Sequence, residues 1–295
     1  MSRMDLDRFA VVLLVVLCAI WGLQQVAIKI ANAGVSPVLQ AGIRSAGAVV
    51  VVFGWSFWRR VSIFQRDGTL AAGLVAGVLF AAEFALIFRA LNYTSVGRGV
   101  IFLYTAPFFV ALGAVWLLPD ERLRTGQWLG MVLAFIGILT LFGENLLGAA
   151  GVAWIGDLMM LGAAVMWAAT TLVIKASRLA RVAPEKTLLY QLAVSALILL
   201  PASSAMRESG ITAVTPVIVG SLVFQTVVVA SGSYLAWFWL IRHYPATRLS
   251  AFSFLAPVFG VLAGGLILAE PLTPAVVMAL ALVGCGIWLA NRRPA

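Results

Sequence analysis

The chain is a succession of apolar runs, most of them about twenty residues long, broken by short stretches of charge, proline or glycine. About twenty helical residues span the hydrocarbon core of a bilayer. The pattern predicts helices over 9–30, 37–58, 69–91, 96–118, 125–143, 154–177, 185–203, 215–240, 247–269 and 273–291. Several open at or beside a proline: Pro37, Pro184, Pro216, Pro245 and Pro274. Proline suits a first turn because the N–H it lacks has no helical partner there. The first run is too long for the core of a signal peptide. It also carries Gln24, Gln25 and Lys29 where a cleavage site needs small residues, so it reads as a retained span.

Composition turns this pattern into a membrane protein. Of 295 residues, 63% are hydrophobic and 11% charged, with a mean hydropathy of +1.06. Soluble domains carry about 25% charged residues. Ten spans with short connections use up the chain and leave no room for a soluble domain. The net charge of +9 raises nucleic-acid binding, but no basic run exceeds two residues and no recognition motif accompanies the charges. The charges sort by side instead. With ten spans, 15 of the 20 Lys and Arg fall on the side of both termini, four (Lys29, Arg89, Arg98, Arg207) fall opposite, and Arg44 lies within a span. This asymmetry predicts cytoplasmic termini in the inner membrane of a bacterium. Cys18, Cys285 and the single His243 make neither a disulfide framework nor a metal site, and no cofactor is expected.

The two halves resemble each other. Trp21, Ile28 and Lys29 recur as Trp167, Ile174 and Lys175 at an offset of 146. Arg98, Ala106 and Pro107 recur as Arg248, Ala256 and Pro257 at an offset of 150, as does Asp120 as Glu270. Helix 1 therefore corresponds to helix 6 and helix 4 to helix 9. Each half holds five spans, an odd number, so the second half runs upside down relative to the first. The predicted fold is all-α and polytopic, ten transmembrane helices in two inverted five-helix repeats, 1–145 and 146–295. Inverted repeats are a common transporter plan, because two similar halves can exchange shapes to open alternately to either side.

The residues Ala19–Ile20–Trp21–Gly22, the run from Arg98 through Thr105–Ala106–Pro107–Phe108–Phe109, Asp120–Glu121–Arg122, and Ala269–Glu270–Pro271–Leu272–Thr273 resemble the drug/metabolite transporter superfamily, in its ten-helix EamA-type branch. The resemblance covers essentially the whole chain. It implies a fused, single-chain carrier, and it is similar to exporters of aromatic and other neutral amino acids. One departure is that Gly22 is followed by Leu23 and then Gln24–Gln25, where the family commonly has a small polar residue.

Polar groups inside hydrocarbon are expensive and usually face a bundle interior. Glu83 is an acidic residue well inside a span, with Phe80, Phe84 and Ile87 at neighbouring helical positions. It either binds an amino group or proton, or bonds to an interior cation such as Arg44. Trp21, Gln25 and Lys29 form one stripe on helix 1. Trp21 and its counterpart Trp167 are either core fillers or facing walls of a central cavity. Lys29 and Lys175 sit at helix C-termini, where they complement the dipole or bind a carboxylate. Pro107 and Pro257 each free a carbonyl one turn earlier and bend their helices at matched depths. Tyr104 and Ser253 lie one turn or so before these prolines; Tyr234, with Trp237 and Phe238, lies on helix 8. The pairs Gly73/Gly77, Gly126/Gly130 and Gly260/Gly264 mark close helix contacts.

No paired catalytic groups occur at depth, so an enzyme is not expected, and the polar residues trace no continuous channel. The expected function is alternating-access export of small zwitterionic metabolites, aromatic and other neutral amino acids first, from a fused chain that can act as a monomer. Substrate would sit among helices 1, 3, 4, 6, 8 and 9. The alternative is efflux of drugs or cationic metabolites.

Overall fold

The computed structural model describes residues 6–90, 93–94, 96–118, 123–143, 151–268 and 274–291. The ten expected helices are all present, several of them interrupted. They are α1 (Arg8–Ala31), α2 (Pro37–Trp58), α3 (Leu70–Ala90), α4 (Val96–Leu103, then Ala106–Leu117), α5 (Thr125–Phe142), α6 (Ala153–Ala176), α7 (Pro184–Ala205), α8 (Pro216–Val223, a π-helical stretch Phe224–Ser233, then Tyr234–His243), α9 (Ala246–Phe252, then Leu255–Leu268) and α10 (Pro274–Asn291). Among the described residues nine helical stretches are long and apolar enough to cross a membrane, and α5 adds a shorter apolar one over Thr125–Thr140. Asp120, Glu270 and the joints around them lie outside the described residues.

The packing repeats between the halves. α1 packs on α9 as α6 packs on α4; α3 packs on α6 as α8 packs on α1; α3 packs on α7 as α8 packs on α2. The pairs α2–α7 and α5–α10 map onto themselves. Exchanging each helix with the one five places away therefore reproduces the arrangement. The inversion is direct at α2–α7: the start of α2 meets the end of α7, and the end of α2 leads to the start of α7. Gly42 near the start of α2 lies against Leu200 near the end of α7.

Burial is inside-out relative to a soluble protein. Phe57, Trp116, Leu197 and Leu266 are each at least 75% exposed on the bundle surface. Gln40, Arg44, Ser45, Gln191, Ser195 and Gln225 are fully buried. Lipid accepts the first group, and the interior must satisfy the second. Helices approach closely where side chains vanish. A Cβ on Gly130 would lie 2.5 Å from the Gly286 carbonyl oxygen, and one on Gly22 would lie 2.6 Å from the backbone nitrogen of Gly260. Of the predicted small-residue pairs, Gly73 and Gly77 both meet α7 at Tyr190 and Val194, whereas Gly126 faces open space.

The α2–α7 pair is clasped at both ends by loop carboxylates. At one end Glu208, after α7, accepts from the backbone N–H of Val38 (3.2 Å) and Leu39 (3.1 Å) and from the Ser203 hydroxyl (2.8 Å). Pro37 has no N–H, so Val38 and Leu39 carry the first free amides of α2, and a carboxylate there also meets the positive end of the helix dipole. At the opposite end Asp67, before α3, pairs with Lys186 of α7 at 2.7 Å. Lys186 also donates to the Gln65 carbonyl, at 2.6 Å, and the Thr69 hydroxyl donates to Asp67, at 2.6 Å. The Lys186 and Thr69 bonds hold the Asp67 carboxyl down at about 2, well below the ordinary carboxylate range.

Candidate functional site

Both expected proline bends are complete breaks. α4 stops at Leu103 and resumes at Ala106, with Pro107 in its new first turn; α9 stops at Phe252 and resumes at Leu255, with Pro257 just inside. Each break has a hydroxyl to occupy a carbonyl three residues back: Thr105 donates to Phe102, and Ser253 to Ser250, both at 2.6 Å. The break in α4 leaves Tyr104 facing inward.

A cavity of about 110 Å³ lies there, at the interface of the two halves. Its wall comprises Trp21 and Gln24 from α1, Phe80, Glu83, Phe84 and Ile87 from α3, and Leu103 and Tyr104 from α4. It also takes Trp167, Thr170, Thr171 and Ile174 from α6, Gln191 from α7, and Tyr234, Trp237 and Phe238 from α8. Aromatic rings meet edge to face around it: Trp21 with Trp237 at 5.3 Å, Phe80 with Tyr234 at 5.9 Å, and Tyr104 with Trp167 at 5.9 Å. Such pairs contribute about 0.5–1.5 kcal/mol beyond buried area.

The repeat is visible in the wall itself. At an offset of 146, Trp21 and Gln24 become Trp167 and Thr170, and all four line the cavity. At an offset of 150, Phe84 becomes Tyr234 and Ile87 becomes Trp237, again all lining residues. The same offset takes Glu83 to Ser233, which accepts a hydrogen bond from the Trp21 indole N–H at 3.0 Å. Ser233 in turn donates to the Val229 carbonyl within the π-helical stretch of α8, at 2.7 Å. π turns widen a helix and cluster at functional sites.

Behind this wall lies Arg44 of α2, fully buried. Its guanidinium sits 4.1 Å from the centre of the Phe84 ring, on the ring face. Tyr234 and Glu83 are its electrostatic neighbours, and no hydrogen bond of standard geometry reaches its three nitrogens among the described residues. Glu83 thus lines the cavity and also has Arg44 as an electrostatic neighbour, so the cavity and the interior cation of its two readings both lie beside it.

Of the residues expected from sequence, Trp21, Glu83, Phe84, Tyr104, Trp167, Tyr234 and Trp237 converge on this cavity. Ser253 does not line it and is buried with its hydroxyl turned to Ser250. The Gln25 and Lys29 side chains lie outside the described residues; Gln24, next to Gln25 on α1, lines the wall. Lys175 donates to the Ile241 and Tyr244 carbonyls at the end of α8, so it caps a neighbouring helix. Among the described residues α9 contributes nothing to the wall, and α7, not expected there, contributes Gln191. Gln191 and Thr170 went unread. Thr170 is the repeat counterpart of Gln24, and Gln191 shares a polar row with Thr187 and Ser195 at i, i+4 spacing on α7.

A family model described as the EamA-like transporter family matches residues 8–143 and again residues 154–292. The chain belongs to this family. Its two matches place one copy of the EamA unit in each half, and the cavity lies where the copies meet. Among relatives, the EamA-like chain is 24% identical to an uncharacterised transporter, YoaV, of Bacillus subtilis, over 92% of each chain. It is 30% identical to a probable amino-acid metabolite efflux pump of Salmonella typhimurium, over 98% of this chain and 95% of that one. A solved crystal structure superposes with a TM-score of 0.82, covering 96% of this chain and 97% of its own at 20% identity, which shows the fold. This EamA-like protein is a multi-pass membrane transporter and not an enzyme.

Proposed function

We propose that the protein exports small zwitterionic metabolites, with aromatic and other neutral amino acids as the leading class, by alternating access through the cavity between its halves. The observation that carries this reading is the presence of groups of both charge types at an aromatic wall: Glu83 lines the cavity, and the Arg44 guanidinium stands behind Phe84. A cationic substrate would bring an excess positive charge into a low-dielectric site where Glu83 already has a counter-charge. A zwitterion adds none. The cavity volume of about 110 Å³ is below the 300–1,000 Å³ of drug-sized pockets, which favours a small cargo and a state in which the walls have drawn together. The Salmonella relative's name points the same way.

In this reading the units are 1–145 and 146–295, both termini face the cytoplasm of a bacterial cell, and one chain suffices. Trp21, Trp167, Tyr234 and Trp237 wall the substrate, Gln25 and Ser253 are further contacts to test, and the breaks before Pro107 and Pro257 supply the movement. The test is efflux of Phe, Thr and Met from proteoliposomes. Movement of at least one of them, saturable and absent without protein, is expected. Folded protein that moves none of the three but carries an organic cation such as tetraphenylphosphonium replaces this reading with cationic efflux. In that case Glu83→Gln abolishes cation transport.

A further inference from the structure

We propose that Gln191 and Thr170 form, with Glu83, a head-group subsite that takes a carboxylate and an ammonium carried on one small molecule. This rests on the export reading above and names the atoms that recognise its substrate class. Gln191 on α7 is fully buried, and neither its amide nitrogen nor its amide oxygen has a hydrogen-bond partner among the described residues. Thr170 on α6 is buried with its hydroxyl unpartnered, whereas the next residue, Thr171, donates to the Trp167 carbonyl at 3.1 Å. Both line the cavity together with Glu83, and α3, which carries Glu83, packs on both α6 and α7. Three helices therefore bring three polar groups to one chamber.

Buried polar groups without partners are rare in folded proteins, and one that lines a cavity finds its partner in the occupant. The chemistry of the set is specific. The Gln191 amide N–H and the Thr170 hydroxyl donate, which suits a carboxylate; an ionised Glu83 only accepts, which suits an ammonium. The rings of Trp21, Tyr234 and Trp237 come from α1 and α8 and remain for the substrate's side chain. With Arg44 as counter-charge to Glu83, a zwitterion leaves the site electrically unchanged.

The test measures equilibrium binding of three radiolabelled probes to the purified full-length protein: L-phenylalanine, phenethylamine (no carboxylate) and 3-phenylpropionate (no ammonium). Gln191→Leu and Thr170→Val should each weaken L-phenylalanine and 3-phenylpropionate about tenfold and leave phenethylamine within about twofold, the scale of one lost hydrogen bond to a charged group. Glu83→Gln should weaken L-phenylalanine and phenethylamine and spare 3-phenylpropionate. Both apolar substitutions remove unpartnered polar atoms, so thermal stability equal to or above wild type is expected. Equal weakening of all three probes, or L-phenylalanine binding unchanged in both Gln191→Leu and Thr170→Val, overturns the subsite while leaving export standing if wild type still moves L-phenylalanine. Wild-type protein that binds none of the probes, or phenethylamine alone, overturns both.

Discussion

The bond from the Trp21 indole N–H to the Ser233 hydroxyl joins α1 of one half to the π-helical stretch of α8 in the other, at the cavity wall. Ser233→Ala removes the acceptor and leaves the indole donor without its partner. A buried donor left unsatisfied costs about 1–3 kcal/mol, whereas a hydrogen bond removed from both ends costs about 0.5–1.5 kcal/mol. Trp21 keeps part of its surface open to the cavity, so the lower half of the first range, about 1–2 kcal/mol, is expected for Ser233→Ala. Trp21→Phe removes the donor and keeps a ring against Trp237. Ser233 can still donate to Val229 in that variant, so its hydroxyl is not stranded. The double variant should therefore cost about 0.5–1 kcal/mol less than the sum of the singles. Unfolding by SDS titration in mixed micelles, followed by far-UV circular dichroism, measures all four proteins. A neutral Ser233→Ala, or strict additivity of the two substitutions, refutes the bond as a structural tie.

Three further outcomes follow from the packing and charges. Gly22→Ala places a Cβ 2.6 Å from the Gly260 nitrogen and 2.8 Å from the Ala256 oxygen, backbone atoms that cannot turn aside, so α1 and α9 must separate at a cost of about 1–3 kcal/mol in the same titration. Gly54→Ala meets nothing within 4 Å and should stay within about 0.5 kcal/mol of wild type. Asp67, held at about 2 against an ordinary 3.8, stabilises the fold fully above about pH 4 and loses that contribution as pH falls towards 2. The stability difference between wild type and Asp67→Asn should accordingly stay flat from pH 8 to about pH 4 and shrink below it; a difference that already falls between pH 8 and 6 assigns it to another group.

Helix positions were legible because lipid imposes one length and one polarity on every span. The repeat was legible because Trp21/Trp167 and Pro107/Pro257 kept their spacing. What stayed hidden was the direction each polar side chain faces. On α7 the row Thr187, Gln191 and Ser195 at i, i+4 and i+8 marks a buried polar face, but not which of the three reaches the cavity. Ser253 precedes Pro257 much as Tyr104 precedes Pro107, but its hydroxyl is spent on the Ser250 carbonyl of its own helix, which spacing alone does not announce. On α1 Gln24, three residues on from Trp21, lines the cavity, whereas the stripe read from the sequence runs through the i+4 neighbour Gln25, whose side chain lies outside the described residues. The π-helical stretch of α8 leaves no mark in the sequence, because a ladder of Val, Ala and Ser fits either winding.

The clasp between Glu208 and the start of α2 has a bearing on biogenesis. Acceptor and donor are separated by 170 residues along the chain, and the acceptor belongs to the second half. A ribosome delivers α2 to the membrane long before it delivers Glu208. Until then the Val38 and Leu39 amides have only interfacial water for company. The first half therefore enters the bilayer as a set of spans with the start of α2 uncapped. Its order is completed from outside, by the copy of itself that is translated next and inserted the other way up.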